Sequence, residues 1–376
     1  MARPSRPADT AQLPSLYQPW VEVLLGGGIP AETEATCGHC AMIPEPGDAS
    51  RDPAAESPSR LSFDPRVKCC TYVPALPNFL VGRILLDTSP ETRPGRASVQ
   101  ARIAAGIGVT PEGLGPPPVF AVLYARGAAD TFGQAVDLRC PHYQADSGNC
   151  GIWRHRQSVC STWFCKHDRG AVGQEFWLAL RRLLGVVERA LAVHCVRTLA
   201  PGPAALRLAA ERAQEAPALR ASDLGGSGSA DLAAADRVWG SYARREEAFY
   251  VAAAQLVGAL TWTDVLRAGG EELHLACDVL HHAYDALVST ALPKALRTGT
   301  LHVSSVGADV VEFTSYSGYD PLVVPRVLFD VLHVFDGRPT TRALAAAAGA
   351  GVTLDRAVVR KLVDVGALVD AERPSP

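Results

Sequence analysis

The chain has 376 residues, a formal net charge of −3, and 48% hydrophobic against 20% charged residues. That length exceeds one small module and points to roughly two or three domains with ordinary apolar cores. The near-neutral balance excludes a global electrostatic drive toward nucleic acid or an anionic membrane surface.

The first 30 residues carry arginines but no apolar stretch of about 7 to 15 residues, so no secretory leader is expected. No run nears the roughly 18 apolar residues of a membrane span. A cytoplasmic location is the expectation, and thiols stay reduced there. Residues 1–36 read mostly as loop, with one apolar run, VEVLLGG, at 21–27. Residues 41–68 are rich in Pro, Ser, Asp and Glu and read as an exposed loop. YVPALPNFLVGRILLD is a buried turn leading into a short element. The segment 91–118 is polar and then Pro/Gly-rich, and VFAVLYARG at 119–127 reads as a strand.

Farther on, Phe176, Leu178, Leu180, Leu183, Leu184 and Val187 recur at helical spacing within 173–200. A second helix is expected at 203–219, a Gly/Ser linker at 221–232, and helices near 231–260 and 271–295. Residues 300–324 alternate like strands. PRVLFDVLHVFDG reads as a helix ending at Gly337, and TTRALAAAAGAG as a second, with Thr340 or Thr341 as N-cap. A third begins at Thr353 and stops at Gly366, before a short apolar run, Ala367 to Val369. The expected fold is mainly α with an irregular cysteine-rich metal-binding domain and a C-terminal winged-helix-like α+β domain. Its boundaries are an N-terminal segment 1–36, a cysteine-cluster domain 37–200, a helical domain 201–298 and a winged-helix-like domain 299–376.

Ten cysteines in a reducing compartment argue for metal or redox chemistry over a disulfide framework. Eight of them, Cys37, Cys40, Cys69, Cys70, Cys140, Cys150, Cys160 and Cys165, fall in local groups within 129 residues. Thiolates are soft ligands suited to zinc, Fe–S clusters and copper(I). Cys37-Gly-His-Cys40 is a CxxC, whose two sulfurs can face one ion in a tight turn. Cys69 and Cys70 are adjacent, so they share a centre only if the chain turns there. Cys195 and Cys277 stand alone on expected helices and read as small buried hydrophobes. Histidines His39, His142, His155 and His167 lie beside the thiols. His142 and His167, each two residues from a cysteine, are the better ligand candidates. Arg154, Arg156 and Lys166 place positive charge near the thiols. Trp153 and Trp163 are expected to pack over them and limit water access. Cys277 and His281 share a helix face but have no further ligand pair nearby, so they read as structural. The glycine-rich runs at 25–30 and 104–115 read as turns, because neither follows a strand and opens a helix as a nucleotide loop does.

Cys140-Pro141, Gly148, Cys150, Ile152, Trp153, Arg156, Cys160, Trp163 and Cys165 together resemble the second motif of the YkgJ-like cysteine-cluster family. That family is described as zinc- or iron-chelating. Its first motif is a compact CxxCxxCC. Here Cys37, Cys40, Cys69 and Cys70 keep the order, with 28 residues inserted between the pairs. Leu76-Pro77-Asn78 and Gly82 fit as well, and the resemblance spans about 37–190. It implies that the eight cysteines bind zinc or iron, with a [4Fe-4S] cluster among the forms the iron could take. A related class, the flagellin lysine N-methylases, implies the alternative of an Fe–S or zinc enzyme that modifies a protein or peptide. The C-terminal stretch looks like small winged-helix modules that recognise peptide substrates in natural-product modification. This implies a protein or peptide partner. The third helix carries Asp355, Arg356, Arg360, Lys361 and Asp364, a mixed face rather than a DNA reader's basic stripe. A metal-responsive DNA-binding regulator is therefore the least favoured alternative.

Overall fold

The computed structural model describes residues 13–32, 40–43, 62–205 and 237–372. Cys37, His39, most of the loop 41–68, nearly all of the helix read at 203–219 and the linker at 221–232 lie outside these residues. About half of the described residues are helical, and the strands form small antiparallel sheets, a mixed α+β architecture. No single helix among the described residues is long and apolar enough to cross a membrane.

Internal packing divides the chain into two units. The first draws on Met1–Ala31, Ile43–Trp163 and Arg181–Cys277, the second on Glu32–Met42, Phe164–Leu180 and Asp278–Pro376.

In the first unit, α1 (Gln18–Leu25) occupies the apolar run near the N-terminus. A short strand β1 (Leu76–Pro77) leads into α2 (Asn78–Leu86), which is buried along most of its length. Helix α3 (Arg93–Ala104) occupies the stretch that reads as merely polar, with Pro94 in its first turn, where the missing N–H costs nothing. Strands β2 (Val109–Thr110) and β3 (Gly113–Leu114) pair with β1 in the order β1-β3-β2. Residues 119–127 are not a strand. They lie within helix α4 (Pro118–Thr131). Proline at the first helical position has the φ a helix needs. The Ala- and Arg-containing second half outweighs the β-branched residues at its start.

Strands β4 (Tyr143–Gln144) and β5 (Asn149–Cys150) form a hairpin, followed by α5 (Ser158–Thr162) and the long α6 (Gly170–Leu199). Helix α7 (Glu246–Gly258) packs against α2. A Cβ on Gly82 would run into the Tyr250 carbonyl. Only glycine lets these two backbones approach so closely. Phe249 and Tyr250 of α7 join Leu76, Val81, Ile84, Val99, Leu114 and Ile152 in one core. Helix α8 (Trp262–Val288) is broken at Gly270, whose φ is 59°.

The C-terminal part of the second unit includes β6 (Ala295–Thr298). Strands β7 (His302–Val306), β8 (Val310–Thr314) and β9 (Leu322–Pro325) form one antiparallel sheet. Its period-2 pattern puts Val311 and Phe313 into the core. Helix α9 (Arg326–Asp330) is shorter than the sequence pattern predicts. It gives way to a 3₁₀ turn and to β10 (Asp336–Pro339). Helices α10 (Thr340–Gly349) and α11 (Arg356–Asp364) and strand β11 (Leu368–Asp370) complete the module. Strand β6 pairs with both β10 and β11.

The two caps differ from expectation. Thr340 is the first helical residue of α10, and its hydroxyl donates to the Pro293 carbonyl. Asp355, not Thr353, caps α11, accepting from the Val358 N–H at 2.8 Å. A carboxylate does this better than a hydroxyl two residues upstream could. Leu296, Phe313, Phe335, Ala343, Val359, Leu362 and Leu368 form the buried centre of this module.

Candidate functional site

The turn before Cys69 is built by Lys68, a non-glycine residue at φ 52°. Its ammonium donates to the Gly148 carbonyl at 2.8 Å, tying this turn to the β4–β5 hairpin 80 residues later. Gly148 itself has φ 65°, so the motif's glycine is the residue that lets the hairpin reverse. The hairpin sets Cys150 opposite Tyr143. The Cys140 N–H donates to the Cys70 carbonyl at 2.8 Å, which joins the adjacent cysteine pair to the start of the second motif.

Cys160 rides on α5, and three contacts fix that short helix. Gln157 caps it, its side-chain oxygen accepting from the Val159 N–H at 2.6 Å. Arg156 lies over the Trp153 ring at 3.4 Å and donates to the Trp153 and Cys160 carbonyls. Glu188 of α6 accepts from the Ser158 N–H at 2.6 Å, the Ser158 hydroxyl at 2.7 Å and the Tyr17 hydroxyl at 2.7 Å. Burial pushes the Glu188 carboxyl up to about 7, against the opposing pull of those donors.

Cys69, Cys140, Cys150 and Cys160 form one electrostatic group. Burial raises the Cys160 thiol well above its ordinary value. Charge on Cys140, Cys150 or Cys69 would raise it further, and Arg156 opposes this. The Cys140 thiol is pushed up to about 12, first by burial and then by Cys150, while Arg102 works the other way. Cys140 and Cys160 are thiols, not disulfides.

The remaining described pair, Cys40 and Cys165, belongs to the second unit. Burial, then Cys40, raises the Cys165 thiol to about 11. The Ser317 hydroxyl donates to the Cys165 carbonyl at 3.2 Å, and Lys166 lies 3.6 Å from Asp320. Glu32 leads toward the CxxC. It accepts from the Trp177 indole N–H at 2.5 Å and the Asp168 N–H at 2.6 Å. Burial raises the Glu32 carboxyl to about 7.

The Nε2 of His155 meets Asp87 at 2.8 Å, while its Nδ1 is buried without a hydrogen-bond partner. The Nδ1 of His142 meets the Ser98 hydroxyl at 2.8 Å, while its Nε2 is buried without a hydrogen-bond partner. The Nδ1 of His167 is likewise buried and unpartnered, with Phe164 and Tyr316 against the ring. Burial pushes His142 down to about 3 and His167 to about 4, so both are neutral, as ligands must be. Trp163 packs at the edge of an aromatic pair. It is 36% exposed and contacts Phe132 edge-on. Cys195 is fully buried and donates to the Ala253 carbonyl, a small core residue as its sequence context predicts.

Three contributors escape the motif reading: Arg102, Glu188 and Lys68. Glu188 had a signal, being a lone carboxylate in the apolar row Leu180, Leu184, Leu191 and Cys195 of α6. Arg102 had none, because α3 carries polar residues on every side.

The donor set suits a soft metal in type and burial. Yet among the described residues no three His, Cys, Asp or Glu side chains are arranged so that they could hold a metal ion. No protein-family model, curated protein or solved structure matches the chain.

Proposed function

We propose that this chain is a cysteine-cluster protein of the YkgJ-like kind that binds zinc or iron. Its C-terminal winged-helix-like module would contact a protein or peptide. The observation that supports the first part is that Cys69, Cys140 and Cys150, from positions up to 91 residues away, all act electrostatically on the buried Cys160 thiol. Cys140, Cys150 and Cys160, with Cys69 or Cys70, would supply ligands in the first unit. Cys40 and Cys165 would do so in the second. A bound zinc would cross-link these segments, and an Fe–S cluster would add electron transfer. The chain's own part is to bring the thiols together, exclude water from Cys140 and hold α5 through Glu188 and Arg156. Each thiol that binds gives up its proton to solvent.

Two features support the module. Strand β10, helices α10 and α11 and strand β11 follow one another over one apolar core, as in a winged helix. Arg356 donates to the Thr290 carbonyl at 3.1 Å, and Arg360 to the Ala291 carbonyl at 3.0 Å and to Asp364. These internal bonds favour protein contact over DNA reading, which needs arginines turned outward.

Metal analysis with an absorption spectrum of anaerobically purified protein tests the reading. A brown protein absorbing near 400 nm identifies Fe–S, and a colourless protein with stoichiometric zinc identifies a zinc site. Cys150→Ser and Cys160→Ser are expected to lose metal. Full retention in both overturns the proposal.

A further inference from the structure

A groove in the first unit lies between the C-terminal half of α6 and the stretch of α8 around its break, and holds a cavity of about 400 Å³. One face of α6 supplies one wall. Val186, Arg189, Ala190, Val193, His194 and Arg197 recur at spacings of three and four or sums of them, which sets them in one row on a helix. Val186, Ala190 and Val193 make that wall apolar, and the other three edge it with nitrogen donors. On the opposite wall, Arg267 and Glu272 of α8 stand to either side of the break, where Gly269 lines the cavity with backbone alone. Three guanidiniums and an imidazole thus share the cavity with a single carboxylate. Arg189 reaches from one wall to Glu272 on the other at 2.6 Å, and Arg267 pairs with Asp264 at 2.9 Å. Both pairs are largely exposed, so each is worth little and can be exchanged for a better anion. The side chains of Arg197 and His194 make no hydrogen bond or ion pair among the described residues.

We propose that this groove binds a small organic phosphate, a phosphomonoester whose charged head is held by Arg197 and Arg267 and whose apolar body lies along Val186, Ala190 and Val193. A lone carboxylate is satisfied by one guanidinium fork. A phosphomonoester carries close to two negative charges and three acceptor oxygens, enough to engage donors from both walls. The cavity falls within the size range of small-molecule sites, about 300–1,000 Å³, and is larger than a bare ion fills. None of the cysteines takes part, so the proposal is independent of the metal-binding reading.

Calorimetric titration of the full chain with phenyl phosphate at low ionic strength tests this, with inorganic phosphate and phenylacetate as comparisons. Phenyl phosphate should bind saturably and more tightly than either, because inorganic phosphate lacks the apolar body and phenylacetate lacks the second charge. Arg197→Gln should weaken its binding about 10-fold, the scale of one hydrogen bond to a charged group. Glu272→Gln should act with the opposite sign and tighten binding about 2- to 5-fold, because Arg189 is then released from an exposed pair. Arg126→Gln removes the same charge from an exposed position on α4 and should leave the affinity unchanged. All three positions are exposed, so each variant should keep the wild-type circular dichroism. Absence of saturable binding would overturn the assignment, as would equal affinity for phenylacetate and phenyl phosphate. An equal loss in Arg126→Gln and Arg197→Gln would also overturn it, because it would show only a diffuse attraction to surface arginines.

Discussion

Glu188 offers the sharpest quantitative test. Its carboxyl is 7% exposed and accepts three hydrogen bonds, yet burial holds it near 7, against an ordinary value of 4.5. The folded protein therefore binds this proton more tightly than the unfolded chain does. Its favourable contribution is complete below about pH 4.5 and is lost as pH rises through 7. A shift of about 2.5 units corresponds to about 3.4 kcal/mol, of which about 2.5 kcal/mol is lost between about pH 5 and pH 8. Glu188→Gln preserves the shape and cannot ionise. Urea denaturation of wild type and variant, followed by circular dichroism across that range, isolates the effect. Glu32 also titrates near 7, but it does so equally in both proteins and cancels from the difference. The variant should gain about 2.5 kcal/mol relative to wild type from pH 5 to pH 8. A gap that stays constant with pH would refute the argument that this carboxyl prefers its proton.

Two further substitutions probe the framework. Gly82→Ala places a methyl against the Tyr250 carbonyl, where backbone cannot turn aside, and should cost about 1–3 kcal/mol, seen as a lower melting temperature. Asp364→Asn weakens a carboxylate that accepts from Arg169 at 2.7 and 2.8 Å and from Arg360 at 2.8 Å. It should cost about 1–3 kcal/mol by the same measurement, because two partly buried arginines lose their anion. An unchanged melting temperature in either variant would contradict the contact described for it.

Periodicity made the long helix α6 and the C-terminal strands legible, because each repeats one pattern over many residues. It failed where a helix was short or mixed. Helix α3 has no apolar stripe to betray it, and α4 opens with the β-branched and aromatic residues of a strand. The cysteines could be grouped by type and spacing, but their partners could not. That Cys140 meets Cys70 through a backbone bond, and that Glu188 grips the first turn of α5, are long-range facts with no local signature. The same holds for Arg102: a charged residue inside a polar helix looks solvent-facing until the loop that covers it is seen. The motif's Gly148 was legible as a position and not as a mechanism, which is the left-handed backbone of a two-strand reversal.

The interleaving of the two units has a consequence in time. Glu32–Met42 and Phe164–Leu180, with Cys40 and Cys165, belong to a unit whose largest part, Asp278–Pro376, is synthesised after both. At about 5–20 residues per second, the ribosome needs several seconds or more after Cys165 emerges before that part begins to appear. Throughout that interval these two thiols have no finished unit to enter. The nascent chain thus presents reduced cysteines to cellular oxidants and metals before its own fold can claim them, and the order of synthesis sets which thiols are shielded last.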